Sequence, residues 1–172
     1  MLVRDARAAY FSENGFSEAS YRDRFTRIPL GPIALPMWNP PSRQRAVALH
    51  DLHHVATGYA TTWRGEAEIG AWEIGASCGQ YAAAWFYDAA AMAFGVAICP
   101  RRTFRAFVRG RHARSLYVGQ RRVDEVLEMR VDELRTALAL DREPPATSWR
   151  DYAAFAIALP RAFVRAVASA FS

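Results

Sequence analysis

The chain has 172 residues, of which 52% are hydrophobic, and its formal net charge of +5 comes from arginine alone because it contains no lysine. This length predicts one domain with a proper core. Cys78 and Cys99 lie in apolar surroundings without CxxC spacing, which predicts reduced core residues. The N-terminus has no apolar signal core, so we expect an intracellular, reducing compartment.

Helical periodicity and breakers divide the chain into segments in order. Five prolines between residues 27 and 41 predict an extended, ordered loop that is neither a helix nor a central strand. The Pro144-Pro145 pair predicts a linker, and Pro160 a kink in the last helix. Helices are predicted over residues 3–12, 43–57, 62–79, 80–99, 101–117, 122–140 and 149–171.

No segment alternates well enough to predict a strand. The expected fold class is therefore all-α, a single-domain helical bundle of about six or seven helices. The apolar stretch 74–98 is long enough to span a membrane. Its interior Gln80 and Asp88, with glycines that allow close helix packing, favour a central helix of a soluble bundle instead.

Two histidines and a glutamate form the most informative pattern of the chain. His50 and His54 are four residues apart, so on a helix they lie on one face about one turn apart and suit a shared metal ion. Glu66 closes the site if the chain doubles back after His54. In such a hairpin His50 faces Gly70, which has no side chain to block the metal.

The residues between these two segments favour that reversal. Gly58 is expected to end the first helix, and Thr61 or Thr62 to cap the second. A turn centred near Ala60 places the second histidine and the glutamate level on antiparallel helices. The sequence therefore predicts both a metal site and the helical hairpin that forms it.

Three neighbouring polar residues have less certain positions. Asp51 is near enough around the helix to be a fourth ligand, a base or a residue that supports a ligand. His53 points about 100° away from the site, and we interpret it as a packing or surface residue. Glu73 lies on the same stripe as the predicted glutamate ligand, where it either lines the site or forms an ordinary salt bridge. Imidazole and carboxylate ligands together suit zinc or iron(II).

The stretch HDLHHVATGYATTWRGE, residues 50–66, resembles the signature His-Asp-x-x-His-x11-Glu of the coenzyme Q (ubiquinone) biosynthesis protein 4 family. The segments RTFRAFVRGRHARSLY and VDEVLEMRVDELRTALAL also resemble parts of that family. The likeness covers residues 5–140. We therefore expect a family-like metal- and lipid-binding domain over 1–143 and a C-terminal helical extension over 144–172, packed on the same domain or on a membrane.

The resemblance implies metal ligands at His50, Asp51, His54 and Glu66. We expect a divalent metal, zinc being favoured over iron, with Asp51 and Glu66 in catalytic roles. It also implies an internal hydrophobic cavity for an isoprenoid chain. The implied function is ubiquinone biosynthesis: lyase-like removal of the C1 carboxyl from a polyprenylated 4-hydroxybenzoate-type precursor with hydroxylation of that carbon, organisation of the biosynthetic complex, or both. Other quinone-biosynthesis proteins are the implied partners, and a homodimer stays open.

Aromatic and apolar residues beyond the hairpin fit an apolar ligand, although plain core packing explains them equally well. The candidate lipid-binding residues are Tyr81, Trp85, Phe86 and Met92. The alternative function is a non-catalytic isoprenoid-lipid-binding scaffold with a structural metal. A third class is a basic interaction module.

The helix predicted over 101–117 carries a positive stripe of Arg101, Arg105 and Arg109. Anionic lipid headgroups or an acidic protein are the favoured partners of this basic surface, and nucleic acid is disfavoured. Pairing with the acids of residues 124–133 is the alternative. The last helix combines arginines with apolar residues, which is compatible with lying on a bilayer. We expect a cytoplasmic protein, with peripheral attachment to the inner face of the membrane as an open alternative.

Overall fold

The computed structural model describes residues 1–17, 21, 23, 25–30, 33–39, 41–119 and 121–170. These residues form an all-α bundle, as predicted, with one short hairpin of strands. The strands are β1 (Phe25–Leu30) and β2 (Ile33–Trp38). The helices are α1 (Val3–Asn14), α2 (Pro41–Thr57), α3 (Trp63–Ala76), α4 (Ala82–Ile98), α5 (Pro100–Arg111), α6 (Val123–Leu127), α7 (Val131–Ala137), α8 (Trp149–Ala156) and α9 (Ala158–Ala170).

The hairpin is a correction to the predicted loop over 27–41 and to the expectation that no segment forms a strand. Its strands pair antiparallel, with Phe25 opposite Trp38 and Leu30 opposite Ile33. Proline is tolerated on an edge strand because one side of that strand needs no N–H donor. In a two-stranded sheet both strands are edges, so the prolines that indicated a loop are compatible with pairing.

The single helix predicted over 122–140 is also wrong, because the chain forms two short helices there. The carboxylates of Glu125 and Glu133 each accept a hydrogen bond from the backbone N–H three residues earlier, which starts a separate helix at each position. Between them the N–H of Val3 donates to the carbonyl of Met129 at 2.9 Å. The start of the chain therefore occupies the place where the helix was expected to continue.

The last helix breaks at Ile157 and not at Pro160, so that α8 and α9 meet at an angle of 52°. Proline lacks the N–H that would bond the carbonyl of Ala156, and its ring clashes with that carbonyl in a continuous helix. The break therefore falls before the proline, which occupies the first turn of α9. Among the described residues no single helix is long and apolar enough to cross a membrane, although the bent pair of α8 and α9 reaches that length and apolar composition when the two are taken together.

Helix α3 lies at the centre of the bundle and packs on α4 and α5 through glycines. A Cβ atom on Gly110 would stand 2.1 Å from the carbonyl oxygen of Trp72, and one on Gly75 would stand 2.4 Å from that of Phe107. A Cβ on Gly70 would collide with α4, where the nearest atoms are 2.9 Å away. The prediction that Gly70 leaves space for a metal is thus wrong, since this glycine allows α4 to approach.

The C-terminal helices pack on the same bundle as the rest of the chain. Ala158, Ala162 and Ala166 recur every four residues along α9 and belong to the common core. Helix α9 lies chiefly against α4, whereas α8 places Phe155 against Phe107 of α5. The predicted extension is therefore part of one folded unit with the residues before it.

Candidate metal centre

The helical hairpin that was predicted to form a metal site is present. Helix α2 ends at Thr57, and Gly58 follows it with φ of +78°, a conformation that favours glycine. The hydroxyl of Thr62 then accepts a hydrogen bond from the N–H of Gly65 at 3.3 Å and caps α3. Of the two threonines considered for this role, Thr62 is the cap, while Thr61 donates to Asn14 of α1.

The hairpin brings His50, His54 and Glu66 together. The Nε2 atoms of the two histidines are 3.2 Å apart. The carboxylate of Glu66 lies 3.5 Å from Nε2 of His50 and 3.4 Å from Nε2 of His54. Three potential ligand atoms, from side chains on two helices, therefore converge on one point.

The hydrogen-bond partners of the two rings decide which nitrogen is available. Nδ1 of His54 lies 2.8 Å from the carbonyl of Tyr59, which only accepts, so this nitrogen carries the proton. Nδ1 of His50 lies 3.0 Å from the carboxylate of Glu73 and donates to it in the same way. In the neutral rings both Nε2 atoms then carry a lone pair. These two lone pairs face each other and the carboxylate of Glu66. Such a group of acceptors needs a cation between them, either a proton or a metal ion.

The electrostatics of the site agree with that requirement. Burial lowers the pKa of His50, but the carboxylates of Glu73 and Glu66 outweigh it and raise this pKa well above its usual value. Burial raises the pKa of Glu66, whereas hydrogen bonds to His50 and His54 lower it to about 2. The carboxylate is thus held as an anion, and in the absence of a metal a proton takes the cation position.

The separation of the two imidazole nitrogens also fits a metal ion. Ligand atoms about 2.05 Å from a tetrahedral zinc ion lie about 3.3 Å from one another. The two Nε2 atoms, 3.2 Å apart, match one edge of such a tetrahedron, and the two oxygens of Glu66 lie beside them, one 3.5 Å from His50 and the other 3.4 Å from His54. Two imidazoles and one carboxylate are a donor set for zinc or iron(II).

A second layer beneath the site involves His53 and Glu73. The side chain of Glu73 is fully buried, and one of its oxygens accepts from Nδ1 of His53 at 2.6 Å while the other accepts from His50. Nε2 of His53 accepts from the N–H of Leu116 at 2.9 Å, because the chain after α5 turns back towards α2. His53 is a packing residue, as one of the predicted alternatives had it, but it also holds the carboxylate that orients a ligand. The shared stripe of Glu66 and Glu73 on α3 was the sequence signal for this role.

Asp51 is not among the ligand atoms that lie within 4.8 Å of one another in this cluster. Its carboxylate accepts hydrogen bonds from Tyr21 and, at 3.5 Å, from Tyr10. Burial raises the pKa of Asp51, and His50 and Tyr21 oppose that shift. The ring of Tyr10 stacks on His54 with centroids 5.5 Å apart, so Asp51 is linked to the site through a neighbour of the ligand. Its assignment as a fourth ligand stays a prediction, and this geometry suits the alternative of a base.

A second group of ligand-type atoms surrounds Glu73 and includes Asp88 of α4 and His50. Glu73 is already engaged by two imidazoles. Burial and the neighbouring Glu73 raise the pKa of Asp88 well above its usual value, and the thiol of Cys78 donates to it at 3.3 Å. The raised pKa favours the neutral form of Asp88, and this group forms a hydrogen-bonded network beneath the site.

The four candidate lipid-binding residues do not share one surface. Trp85 and Met92 are buried in the core, and Phe86 is exposed on the outside of α4. Tyr81 lines a cleft of about 870 Å³, which Tyr21 also lines. Four arginines and two leucines contribute to the wall of this cleft: Arg7, Arg45, Arg121, Arg122, Leu49 and Leu127. Lipid binding and the internal cavity stay predictions.

The predicted basic surface is present on α5, but Arg109 is less exposed than the other two arginines. Arg101 and Arg105 are exposed. Arg109 is half-buried, lies 5.4 Å from the ring centroid of Tyr59 and donates to the carbonyl of Thr57 at 3.3 Å. It thus supports the hairpin turn. Arg102, which was not singled out, forms an ion pair with Glu68 at 2.7 Å.

The acids of residues 124–133, considered as partners of α5, have other partners. Asp124 pairs with Arg122, Asp132 with Arg130, and Glu128 with Arg4. The described ion pairs of α5 involve Glu68 and Asp151 instead.

Comparison of the chain with protein-family models, with curated proteins and with solved structures gives no match.

Proposed function

We propose that this protein is a metal-dependent enzyme of ubiquinone biosynthesis that removes the C1 carboxyl of a polyprenylated 4-hydroxybenzoate-type precursor and hydroxylates that carbon. The observation that carries the proposal is the convergence of the Nε2 atoms of two histidines and one carboxylate. His50, His54 and Glu66 would hold the metal ion. The reaction class comes from the resemblance of residues 50–66 to the coenzyme Q biosynthesis protein 4 family.

The accessibility of the ligands supports a catalytic role for the metal. The side chains of Glu66 and His50 are 36% and 22% exposed, whereas that of His54 is 1% exposed. Structural zinc sites are closed by four protein ligands, and catalytic sites keep a position for water or substrate. Three converging protein atoms with one open side match the second type.

The cleft beside α1 and α2 supports an amphipathic, anionic substrate. Its volume of about 870 Å³ is within the range of about 300–1,000 Å³ that is common for small-molecule sites. Arginines suit a carboxylate, and the leucines suit the start of an isoprenoid chain. Tyr21 lines the cleft and donates to Asp51, so its hydroxyl connects the cleft to the neighbourhood of the ligands.

The overall conversion is an oxidation of the substrate. The aromatic acid, dioxygen and water give the phenol, carbon dioxide and hydrogen peroxide, with two electrons passing from the ring to dioxygen. A metal at this site would supply Lewis-acid stabilisation of phenolate character in the ring. Asp51, whose pKa burial raises, would accept a proton as the ring hydroxyl ionises. Tyr10 and Tyr21 hold that carboxylate in position.

In this proposal Asp51 acts as a base, and Glu66 is the metal ligand that faces solvent. Organisation of a complex with other quinone-biosynthesis proteins, and a cytoplasmic location, remain part of the same proposal.

The second candidate is a non-catalytic isoprenoid-lipid-binding scaffold with a structural metal. The buried Glu73 beneath the ligands favours this candidate, because it couples the metal ligands to the core, so that metal binding would also stabilise the core. The two candidates differ in what metal removal does. Unfolding of the metal-free protein indicates a structural ion, and retained folding with lost turnover indicates a catalytic one.

The test is turnover of a prenylated 4-hydroxybenzoate labelled with carbon-13 at the carboxyl group. The zinc-loaded and iron(II)-loaded proteins should release labelled carbon dioxide and form the hydroxylated product in the presence of dioxygen. Glu66→Gln should abolish both, whereas Glu68→Gln, which changes the ion-pair partner of Arg102 on the same helix, should retain them. Lipid retention without any carbon dioxide release from either metal form would favour the scaffold.

A further inference from the structure

The outer surface of the C-terminal half is unusually apolar. We define the α4–α9 face as the exposed apolar side chains of α4, α8 and α9. Phe163 and Val164 of α9 are 60% and 65% exposed, and Trp149 of α8 is 74% exposed. On α4, Phe86 is 53% and Phe94 is 44% exposed. Helix α9 packs on both α4 and α8, so these side chains lie on neighbouring helices, and exposed apolar patches mark interaction sites.

The two sides of α9 show that this exposure is built into the helix. Its inner side is a stripe of small residues, of which Ala162 is fully buried. Successive residues advance by about 100° around a helix, so Phe163 and Val164 point away from that stripe. The large apolar residues thus face outward, while alanines face the core. Burial in the bundle does not explain the large side chains.

Every exposed charge on these three helices is positive. Arg150 of α8 and Arg161 and Arg165 of α9 are exposed. The only acids are Asp88, which is 5% exposed, and Asp151, which is 3% exposed. Asp151 is already paired with Arg111 and hydrogen-bonded to Ser148. The α4–α9 face therefore combines apolar side chains with unneutralised cations.

These features select one occupant for the face. In a symmetric dimer the same patch meets itself, so the arginines of two copies would approach each other with no exposed carboxylate on the face to pair with them. An anionic bilayer supplies acceptors for arginine in its phosphate groups and acyl chains for the aromatic residues at adjacent depths. The alanine stripe of α9 is packed on α4, so this side of the helix stays in the bundle. The opposite side of α9 is then the one that meets the bilayer.

We propose that the α4–α9 face docks the protein flat on an anionic lipid bilayer, with Trp149, Phe163 and Val164 among the acyl chains and Arg161 and Arg165 on the phosphates. This inference goes beyond the proposed reaction and does not depend on the metal centre, since none of these residues contacts it. The predicted peripheral attachment thereby gains a defined surface.

The experiment measures co-sedimentation of the full chain with phosphatidylcholine vesicles, with and without phosphatidylglycerol. We expect binding that requires phosphatidylglycerol and weakens as salt is added, because exposed charges are screened over about 8 Å at physiological ionic strength. Phe163→Ser/Val164→Ser should lower the partition coefficient at least tenfold. The matched control is Phe25→Ser on β1, where the side chain is 56% exposed but lies outside the face, and it should bind as the wild type does.

A second pair of variants tests the charges without altering apolar surface. Arg161→Gln/Arg165→Gln should remove the phosphatidylglycerol requirement and most of the binding. Arg114→Gln/Arg142→Gln, which removes the same charge from the exposed surface near the end of α7, should have a small effect. Equal losses in both pairs, or equal losses in Phe25→Ser and Phe163→Ser/Val164→Ser, would overturn the proposal. So would a dimer, seen by sedimentation equilibrium, that dissociates in the Phe163 variant while no vesicle binding occurs.

Discussion

Two regions of the molecule depart from the usual distribution of side chains. The hairpin of α2 and α3 buries charged and polar side chains, whereas the α4–α9 face exposes large apolar ones. At the hairpin, Glu73 and His53 are fully buried, whereas on the face Phe163 is 60% exposed. Buried charge and exposed large apolar surface are both unfavourable unless something compensates for them. Within the hairpin, hydrogen bonds compensate for the burial of most of these polar groups. The Nε2 atoms of His50 and His54 and the carboxylate of Glu66 still need a cation between them. On the face no compensation comes from the bundle itself.

The largest effect should follow from removing a ligand at the hairpin. His54→Ala should reduce affinity for zinc by more than about 100-fold, since even the loss of a residue that only supports a ligand costs about 10–100-fold. Metal content after dialysis, measured by mass spectrometry, provides the test. His112→Ala, which lies outside the cluster, should retain one zinc per chain. Unchanged zinc content in a His50/His54 double substitution would refute the site.

A smaller effect should come from the layer beneath. Glu73→Gln leaves the ligands in place but removes the anion that orients His50, so zinc affinity should fall about 10–100-fold while the fold is retained. Competition with a chromophoric chelator measures this change. Glu68→Gln on the same helix is the control and should bind zinc normally. Wild-type affinity in Glu73→Gln would show that the buried carboxylate serves packing alone.

The two sides of α9 allow a matched test of the face. Ala162→Leu inserts a larger side chain into a packed position and should destabilise the protein by about 1–3 kcal/mol. Phe163→Ser changes an exposed residue and should alter stability by less than about 0.5 kcal/mol. Urea unfolding of both variants gives the comparison. A larger loss in Phe163→Ser would mean that this side chain is part of the core and not of a docking surface.

The smallest effect is the pH dependence of zinc binding. Glu73 and Glu66 outweigh burial and raise the pKa of His50, so in the metal-free protein this ring is protonated at neutral pH. Zinc must displace that proton, and its affinity should rise by about tenfold per pH unit until the raised pKa is passed. The same raised pKa stabilises the metal-free fold below the usual value of 6.5, and this contribution is lost as pH rises through the folded value.

Calorimetry in two buffers of different ionisation enthalpy counts the protons that zinc releases. At neutral pH we expect release of about one proton from this ring. Affinity that is constant from acidic to alkaline pH would contradict the protonated state of His50.

Local rules were enough to predict the hairpin of α2 and α3. The spacing of His50 and His54, the glycine after α2 and the threonine cap of α3 each act over a few residues, and together they place Glu66 correctly. The stripe shared with Glu66 indicated that Glu73 lies near the site, but it did not predict which residues Glu73 contacts. Glu73 and His53 meet across two helices, and the N–H of Leu116 arrives from a third segment. No local pattern encodes such contacts.

The errors in the fold have the same origin. Residues 122–140 have helical periodicity, but a contact with the first residues of the chain interrupts them. The strands β1 and β2 stabilise each other only as a pair, so neither is evident alone. On α9 the arginine and apolar pattern suggested a bilayer, yet only the packing of Ala162 on the bundle shows which side is free.

The most direct test of the metal centre is the zinc-edge X-ray absorption spectrum of the full chain loaded with one equivalent of zinc. The geometry of His50, His54 and Glu66 predicts two imidazole nitrogens at about 2.0–2.1 Å, with oxygen completing the coordination and no sulfur. A spectrum of oxygen ligands alone, or one that contains a Zn–S distance of about 2.3 Å, would contradict it.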